Sequence, residues 1–216
     1  MTAPRTLPAG AVRVLPVGEH ALLVELADGD GAEALHAELL RRRAAGGLPA
    51  VREIVPAART VLLDGVEDAE RLARELAVWE IPALPARVQD AIEIPVRYDG
   101  PDLADVAAGW QVSEEAAARI HSAAEYRVAF CGFAPGFGYL TGLPQRYATP
   151  RRATPRTSVP AGSLALAGAY TGVYPRSSPG GWQLIGSTDT VLWDPAREPA
   201  ALLSPGTRVR FTAERR

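Results

Sequence analysis

Three segments of the chain combine residue types that do chemistry. Pro150-Arg151-Arg152-Ala153-Thr154-Pro155-Arg156-Thr157 sets three arginines between prolines. Proline fixes its own φ and holds its neighbour extended, so these side chains project from a stiffened strand. Guanidinium forks pair with carboxylate or phosphate through parallel N–H donors. The segment therefore reads as an anion site, with a solvated basic loop as the alternative. Arg176-Ser177-Ser178-Pro179-Gly180-Gly181-Trp182 adds an arginine, two hydroxyls and a glycine pair. Successive amides at such a turn can form an anion-binding nest, and a plain hairpin loop has the same sequence. In Phe130 to Leu140 (FCGFAPGFGYL), Pro135-Gly136 is a turn signal, and Phe137 and Tyr139 share a face if the segment is extended. That loop either brings amides and rings to a ligand or closes a tight barrel corner.

Single residues add less. His121 is followed four positions later by Glu125. If the helix runs that far, the pair orients an imidazole for acid–base work near neutral pH. Otherwise His121 caps a helix C-terminus or lies at the surface. Cys131 sits in an acid-free, arginine-bearing stretch, which favours a thiolate, yet no histidine neighbours it and a buried structural cysteine is the better reading. His20 and His36 receive no role. One cysteine excludes an intramolecular disulfide, and three scattered histidines argue against a structural zinc site; no metal is expected.

These segments need a frame. Val12 to Val17 and Ala21 to Leu26 read as strands, followed by a helix over Gly31 to Ala45. Val51 to Val55 and Thr60 to Leu63 are again strand-like, and Glu67 to Trp79 is a second amphipathic helix. The pattern predicts a small α+β domain over 1–80, with two helices on one face of an antiparallel sheet. Pro-containing residues 81–91 read as a linker. From 92 to 216 the chain is mainly β. Ile92 to Tyr98 is a strand, Asp102 caps a short helix to Ala108, and Ser113 caps a helix over Glu114 to Ala123. Tyr126 to Phe130 follows as a strand. The next fifty residues, Gly132 to Gly181, hold nine Gly and seven Pro. Short strands at Leu164 to Ala167, Tyr170 to Tyr174, Gln183 to Ile185, Thr190 to Trp193 and Val209 to Thr212 alternate with turns, predicting a closed or nearly closed β-barrel.

Charge narrows the chemistry. All 23 basic residues are arginine, against 25 acids, for a net charge of −2. The missing lysine removes Schiff-base and Walker A mechanisms. With pI about 6.0 the chain is not globally a nucleic-acid binder. The charge is also divided. Tyr126 to Thr188 contains no Asp or Glu and six arginines (Arg127, Arg146, Arg151, Arg152, Arg156 and Arg176), while the remainder carries 17 Arg and 25 acids. A face that serves only solubility mixes signs, so this block is the main clue to an anionic ligand. No apolar run approaches membrane-spanning length and MTAPRTLPAG carries no apolar core of a signal peptide, so a cytoplasmic protein is expected.

The central segments, in this order, resemble one family: the B component of the bacterial ATP-dependent 5-oxoprolinase (PxpB), the sporulation-kinase inhibitor KipI and proteins labelled allophanate hydrolase subunit 1. The matching text runs from Glu93-Ile94-Pro95-Val96 with Tyr98, through Pro101-Asp102-Leu103, His121-Ser122 and Glu125-Tyr126. It continues with Gly132 to Phe137, Tyr139-Leu140, Pro150 to Ser163, Thr171 to Pro175 and Ser178 to Gly186. Cys131 departs from an expected aliphatic residue and Gly138 from a slightly larger one. Motif matches carried over are Pro135, Gly136, Tyr139, Arg151, Arg156, Tyr174, Ser178, Gly180, Gly181 and Trp182.

By this resemblance the C-terminal region is a cyclophilin-like β-barrel. The resemblance implies a subunit working with a PxpC/KipA-like barrel subunit and a PxpA-like subunit to hydrolyse 5-oxo-L-proline to L-glutamate, driven by ATP. A KipI-type inhibitor of a sensor histidine kinase and a carboxyltransferase-type subunit of a urea or allophanate pathway are the alternatives. The expected ligand is a small carboxylate or urea-like substrate, with neither nucleic acid nor membrane as partner. The candidate catalytic residues are His121 and Arg156. The candidate binding residues are Gly136, Tyr139, Arg151, Arg152, Arg156, Tyr174, Arg176, Ser178, Gly180, Gly181 and Trp182.

Overall fold

The computed structural model describes residues 6–7, 12–82 and 91–214, and the chain divides into two compact units, Met1–Val88 and Gln89–Arg216. The first unit contains β1 (Thr6–Leu7), β2 (Arg13–Pro16), β3 (Ala21–Glu25), α1 (Gly29–Ala44), β4 (Glu53–Pro56), β5 (Thr60–Asp64), α2 (Ala69–Leu76) and β6 (Ile81–Pro82). Antiparallel pairing gives a four-stranded sheet in the order β2-β3-β5-β4. Because side chains alternate along a strand, Leu22, Val24, Val61 and Leu63 fall on one face, where Leu35 and Leu39 of α1 and Leu72 and Leu76 of α2 complete a core. Both helices start on aspartate caps. Asp28 accepts from the Gly31 amide at 2.8 Å and Asp68 from the Arg71 amide at 2.9 Å. Ile81–Pro82, expected as the start of a linker, is a strand paired with β1. Residues 83–90 of that stretch lie outside the described residues.

The second unit runs β7 (Ile92–Val96), α3 (Leu103–Gly109), α4 (Glu114–Ala123), β8 (Tyr126–Cys131), β9 (Gly138–Thr141), β10 (Arg156–Val159), β11 (Ser163–Ala167), β12 (Tyr170–Val173), β13 (Ser178–Gly180), β14 (Gln183–Ser187) and β15 (Arg208–Ala213). Seven strands form one sheet in the order β14-β11-β12-β9-β8-β15-β7. Only β15 and β7 pair in parallel. The two edge strands then meet: Arg97 and Ser187 exchange backbone hydrogen bonds of 2.9 and 2.8 Å, nearly closing the sheet into a barrel. Glycine permits this closure. A Cβ at Gly186 would lie 2.4 Å from the Arg97 carbonyl oxygen, and one at Gly100 would lie 2.3 Å from the Leu184 carbonyl oxygen. The fold is thus an α+β unit followed by a mainly-β barrel-like unit.

The sheet carries a core on each face. Along β11, Leu164 and Leu166 join the larger core with Ile94, Val96, Tyr126, Val128, Phe211 and residues of α3 and α4. Ala165 and Ala167 face the other way, toward Phe137, Tyr174, Trp182 and Val159. The antiparallel pair β10–β13 belongs to this second face. Gly138–Thr141 and Ser178–Gly180, not anticipated as strands, are short strands containing Gly or Pro, and the stiffened arginine segment is a strand only from Arg156, over Arg156–Val159. Conversely, Thr190 to Trp193 forms no strand. Leu192 is buried in the larger core, and Trp193 makes only an isolated bridge with Ala201.

Candidate functional site

The second face of the sheet gathers aromatic rings around Phe137. Ring centroids of Phe133, Tyr139, Tyr174 and Trp182 lie 5.3, 5.0, 5.5 and 5.5 Å from it, all edge-to-face. Phe130 stacks on Tyr139 at 4.3 Å. Phe137 and Tyr139 do share this face. Close packing here depends on small residues opposite the rings. A Cβ at Gly172 would meet Phe137 at 2.8 Å, and one at Gly180 would meet the Tyr174 hydroxyl at 2.2 Å. Phe133 is the exception to burial, 57% exposed, on a backbone with φ of 69°. A positive φ is unfavourable for a bulky residue. Sequence patterning does not single out Phe133, whose one signal is its place before the Pro135-Gly136 turn.

The loop under Phe133 uses three of its amides internally. Gly132 N–H donates to the Phe137 carbonyl at 3.2 Å, Ala134 N–H to Gly132 at 2.8 Å and Phe137 N–H to Ala134 at 3.0 Å. Gly136 takes φ of 82°, as the turn requires, and a Cβ there would press on Trp193 at 2.8 Å. This is the tight-corner alternative. The anion-binding nest, one of the two readings of Gly180-Gly181, is absent. Gly180 lies in β13 opposite Arg156, neither glycine has positive φ, and the Gly181 carbonyl accepts from the Arg152 amide at 2.8 Å. Ser178 is buried, and its hydroxyl donates to the Arg176 carbonyl at 3.2 Å.

These pairings bring the arginine segment alongside the aromatic face. Burial raises the Tyr174 phenol pKa, and the charges of Arg151 and Arg156 oppose that rise. Arg151 acts likewise on Tyr139. Arg151 and Arg176 are exposed and form no ion pair with a described residue. Arg152 and Arg156 behave differently. Both donate to one oxygen of Asp102: Arg152 Nη1 at 2.8 Å and Arg156 Nη2 at 2.7 Å to Oδ1. The other oxygen, Oδ2, accepts from the Leu184 amide at 2.7 Å.

Local sequence marks Asp102 only as a helix cap. It occupies the position before α3 but makes no side-chain cap bond. Its side chain is 3% exposed. Burial works to raise its pKa. The bonds from Arg156 and the Leu184 amide, with the charges of Arg156 and Arg152, outweigh that, so the carboxyl stays below its ordinary value. The acid-free block therefore has a buried counter-ion supplied from outside it, which nothing in the local pattern signals. Arg152 Nε and Arg156 Nη1 are buried and have no hydrogen-bond partner among the described residues.

His121 is not part of this face. It is 0% exposed in the last turn of α4, its Nδ1 2.8 Å from the Tyr98 hydroxyl and its Nε2 3.3 Å from Thr171 Oγ1. Thr171 and Gly172 point to opposite sides of β12, so His121 belongs to the larger core. Burial lowers its pKa to about 3, which leaves it neutral near pH 7. The helix stops at Ala123, so Glu125 turns instead to Arg208, at 2.9 Å. Cys131 is half-buried and its pKa is raised by burial to about 11, the opposite of an activated thiolate.

Residues 12–203 match the family model described as carboxyltransferase domain, subdomain C and D. The chain belongs to this carboxyltransferase-domain family. An Escherichia coli O157:H7 relative, named as the B component of 5-oxoprolinase, is 48% identical over 178 residues, covering 78% of this chain and 80% of the relative. A Haemophilus influenzae relative of the same name is 52% identical over 126 residues, covering 57% of this chain and 59% of the relative. Among solved structures, TTHA0988 aligns with a TM-score of 0.75 and 36% identity over 91% of this chain. The present chain spans 40% of TTHA0988. Kluyveromyces lactis urea amidolyase aligns with a TM-score of 0.71 over 97% of this chain and 15% of that one, at 17% identity, which speaks for the fold alone. The carboxyltransferase-type barrel, then, is the scaffold that sets the rings and arginines side by side.

Proposed function

We propose that this chain is the B component of an ATP-dependent 5-oxoprolinase, acting with PxpC-like and PxpA-like subunits to hydrolyse 5-oxo-L-proline to L-glutamate. The observation that carries the reading is the 48% identity to a 5-oxoprolinase B component over four-fifths of that relative's length. The chemistry of the face supports it. A five-membered lactam acid presents a small apolar ring, an amide and one carboxylate. Aromatic rings suit the first, and guanidinium donors suit the last. Opening the lactam builds negative charge on the amide oxygen, which fixed N–H donors nearby stabilise without reorganising. Arg151, Arg152, Arg156 and Arg176, with Tyr139, Tyr174 and Trp182, make up the proposed substrate face. ATP serves the assembled enzyme. Among the described residues no helix is long and apolar enough to cross a membrane, and the proposed setting is the cytoplasm. Purified chain mixed with its two partners should give 5-oxoproline-dependent ATP hydrolysis and glutamate. Equal turnover when this chain is omitted overturns the reading.

A further inference from the structure

We propose that Asp102 is a positioning residue that shapes Arg152 and Arg156 into a receptor for one singly charged carboxylate, and that ATP phosphates bind elsewhere. This rests on the functional reading above and assigns the substrate's carboxylate to this subunit. The geometry is not that of a pair built for stability. Arginine and carboxylate pair best as a fork, with two parallel N–H···O bonds. Here each guanidinium spends one nitrogen, and both converge on the same Oδ1 at 2.8 and 2.7 Å. Two like charges are thereby held side by side, and buried Arg152 Nε and Arg156 Nη1 lack a partner among the described residues. Unpaired buried donors cost stability, so folding alone does not account for the arrangement.

Asp102 is itself held firmly. Its amide donates to the Leu184 carbonyl at 2.9 Å while Oδ2 takes the Leu184 amide at 2.7 Å. Two residues earlier, Gly100 lies too close to the β14 backbone for any side chain. The carboxylate is thus pinned to β14, next to Trp182, and the arginines take their direction from it. Within the Asp102 cluster, in which exposed Arg151 and Arg176 take no part, two guanidiniums less one carboxylate leave a single positive charge. One ligand carboxylate neutralises it, whereas a triphosphate with magnesium overfills it. With no lysine in the chain and no nest at Gly180-Gly181, these residues do not fit the phosphates of ATP.

The test uses the reconstituted complex carrying Asp102→Asn, Arg156→Gln or both. Asp102→Asn keeps the volume and removes the charge. Each single variant should raise KM for 5-oxo-L-proline at least tenfold while KM for ATP stays within twofold. The double variant should be no more than about threefold worse than the poorer single one, because the two residues act as a unit. Unchanged KM with a lowered Tm would make Asp102 merely structural and overturn the proposal, as would a shift in KM for ATP alone or effects that multiply. If Asp102→Asn does not fold, Arg156→Gln alone decides by the same KM comparison. If the wild-type set shows no 5-oxoproline-dependent turnover, the functional reading fails separately. The receptor is then tested on the free chain through its arginine Nε–Hε NMR signals. Acetate should move those of Arg152 and Arg156, and movement by inorganic phosphate only, or by neither, overturns it.

Discussion

The buried imidazole of His121 predicts a measurable dependence of stability on pH. In the folded chain its pKa is about 3, against an ordinary 6.5, because burial disfavours the charged ring. Its neighbours offer no compensating negative charge. Tyr98 and Thr171 present hydroxyls, and Tyr126 and Phe211 present rings with centroids 5.0 Å away. Below pH 6.5 the unfolded chain binds a proton that the folded chain refuses, so stability falls as pH falls, and above 6.5 the term vanishes. The slope approaches about 1.4 kcal/mol per pH unit below pH 6.5, giving a loss of about 2.7 kcal/mol between pH 7.5 and pH 4.5. The assay is urea denaturation at pH 7.5, 6.5, 5.5 and 4.5 for the wild type and His121→Gln. The variant will be less stable throughout, having changed its bonds to Tyr98 and Thr171, so the slope is the quantity read. Subtraction of the two curves also removes the contribution of His36, whose pKa burial lowers in the first unit. The difference between wild type and variant should shrink by about 2.7 kcal/mol across this window. Parallel curves, or a His121 NMR titration centred near 6.5, would refute the reasoning and reopen a role in proton transfer.

Two further outcomes follow from the aromatic face and the thiol. A methyl at Gly180 meets the Tyr174 hydroxyl at 2.2 Å and Cζ at 2.9 Å, so Gly180→Ala should cost about 1–3 kcal/mol by overpacking. Adding Tyr174→Phe should recover part of the lost Tm, and no recovery would contradict the contact. Cys131, held near pKa 11 by burial, should react with iodoacetamide at pH 8 at least about tenfold more slowly than free cysteine. An equal rate would show that the thiol is neither buried nor suppressed.

Local patterns carry the architecture further than the site. Alternating Leu and Val in Ala21 to Leu26 and Thr60 to Leu63, with leucines at helical spacing, identify the first unit's sheet and helices because period and burial are local properties. The turn at Pro135-Gly136 and the cap at Ser113 are legible for the same reason. Strands β9 and β13 are not, since each is held by its cross-strand partner and carries no alternation of its own. The site divides similarly. The missing acids between Tyr126 and Thr188 mark the arginine face, yet the counter-ion of Arg152 and Arg156 lies 50 and 54 residues away along the chain. Only the near-closure of β7 onto β14 brings Asp102 there. His121 and Glu125 look like a pair at helical spacing, but the helix ends at Ala123, and burial is invisible to spacing. The Gly180-Gly181 nest fails because pairing with Arg156 holds that segment extended.

The arginines on the aromatic face are assigned work in the reaction itself. Glutamate formation by the reconstituted three-subunit system tests this most directly, with Arg156→Ala in this chain and complex assembly checked by size-exclusion chromatography. Turnover at substrate levels well below the wild-type KM should fall at least tenfold with assembly intact. Unchanged turnover in an intact complex would contradict that role.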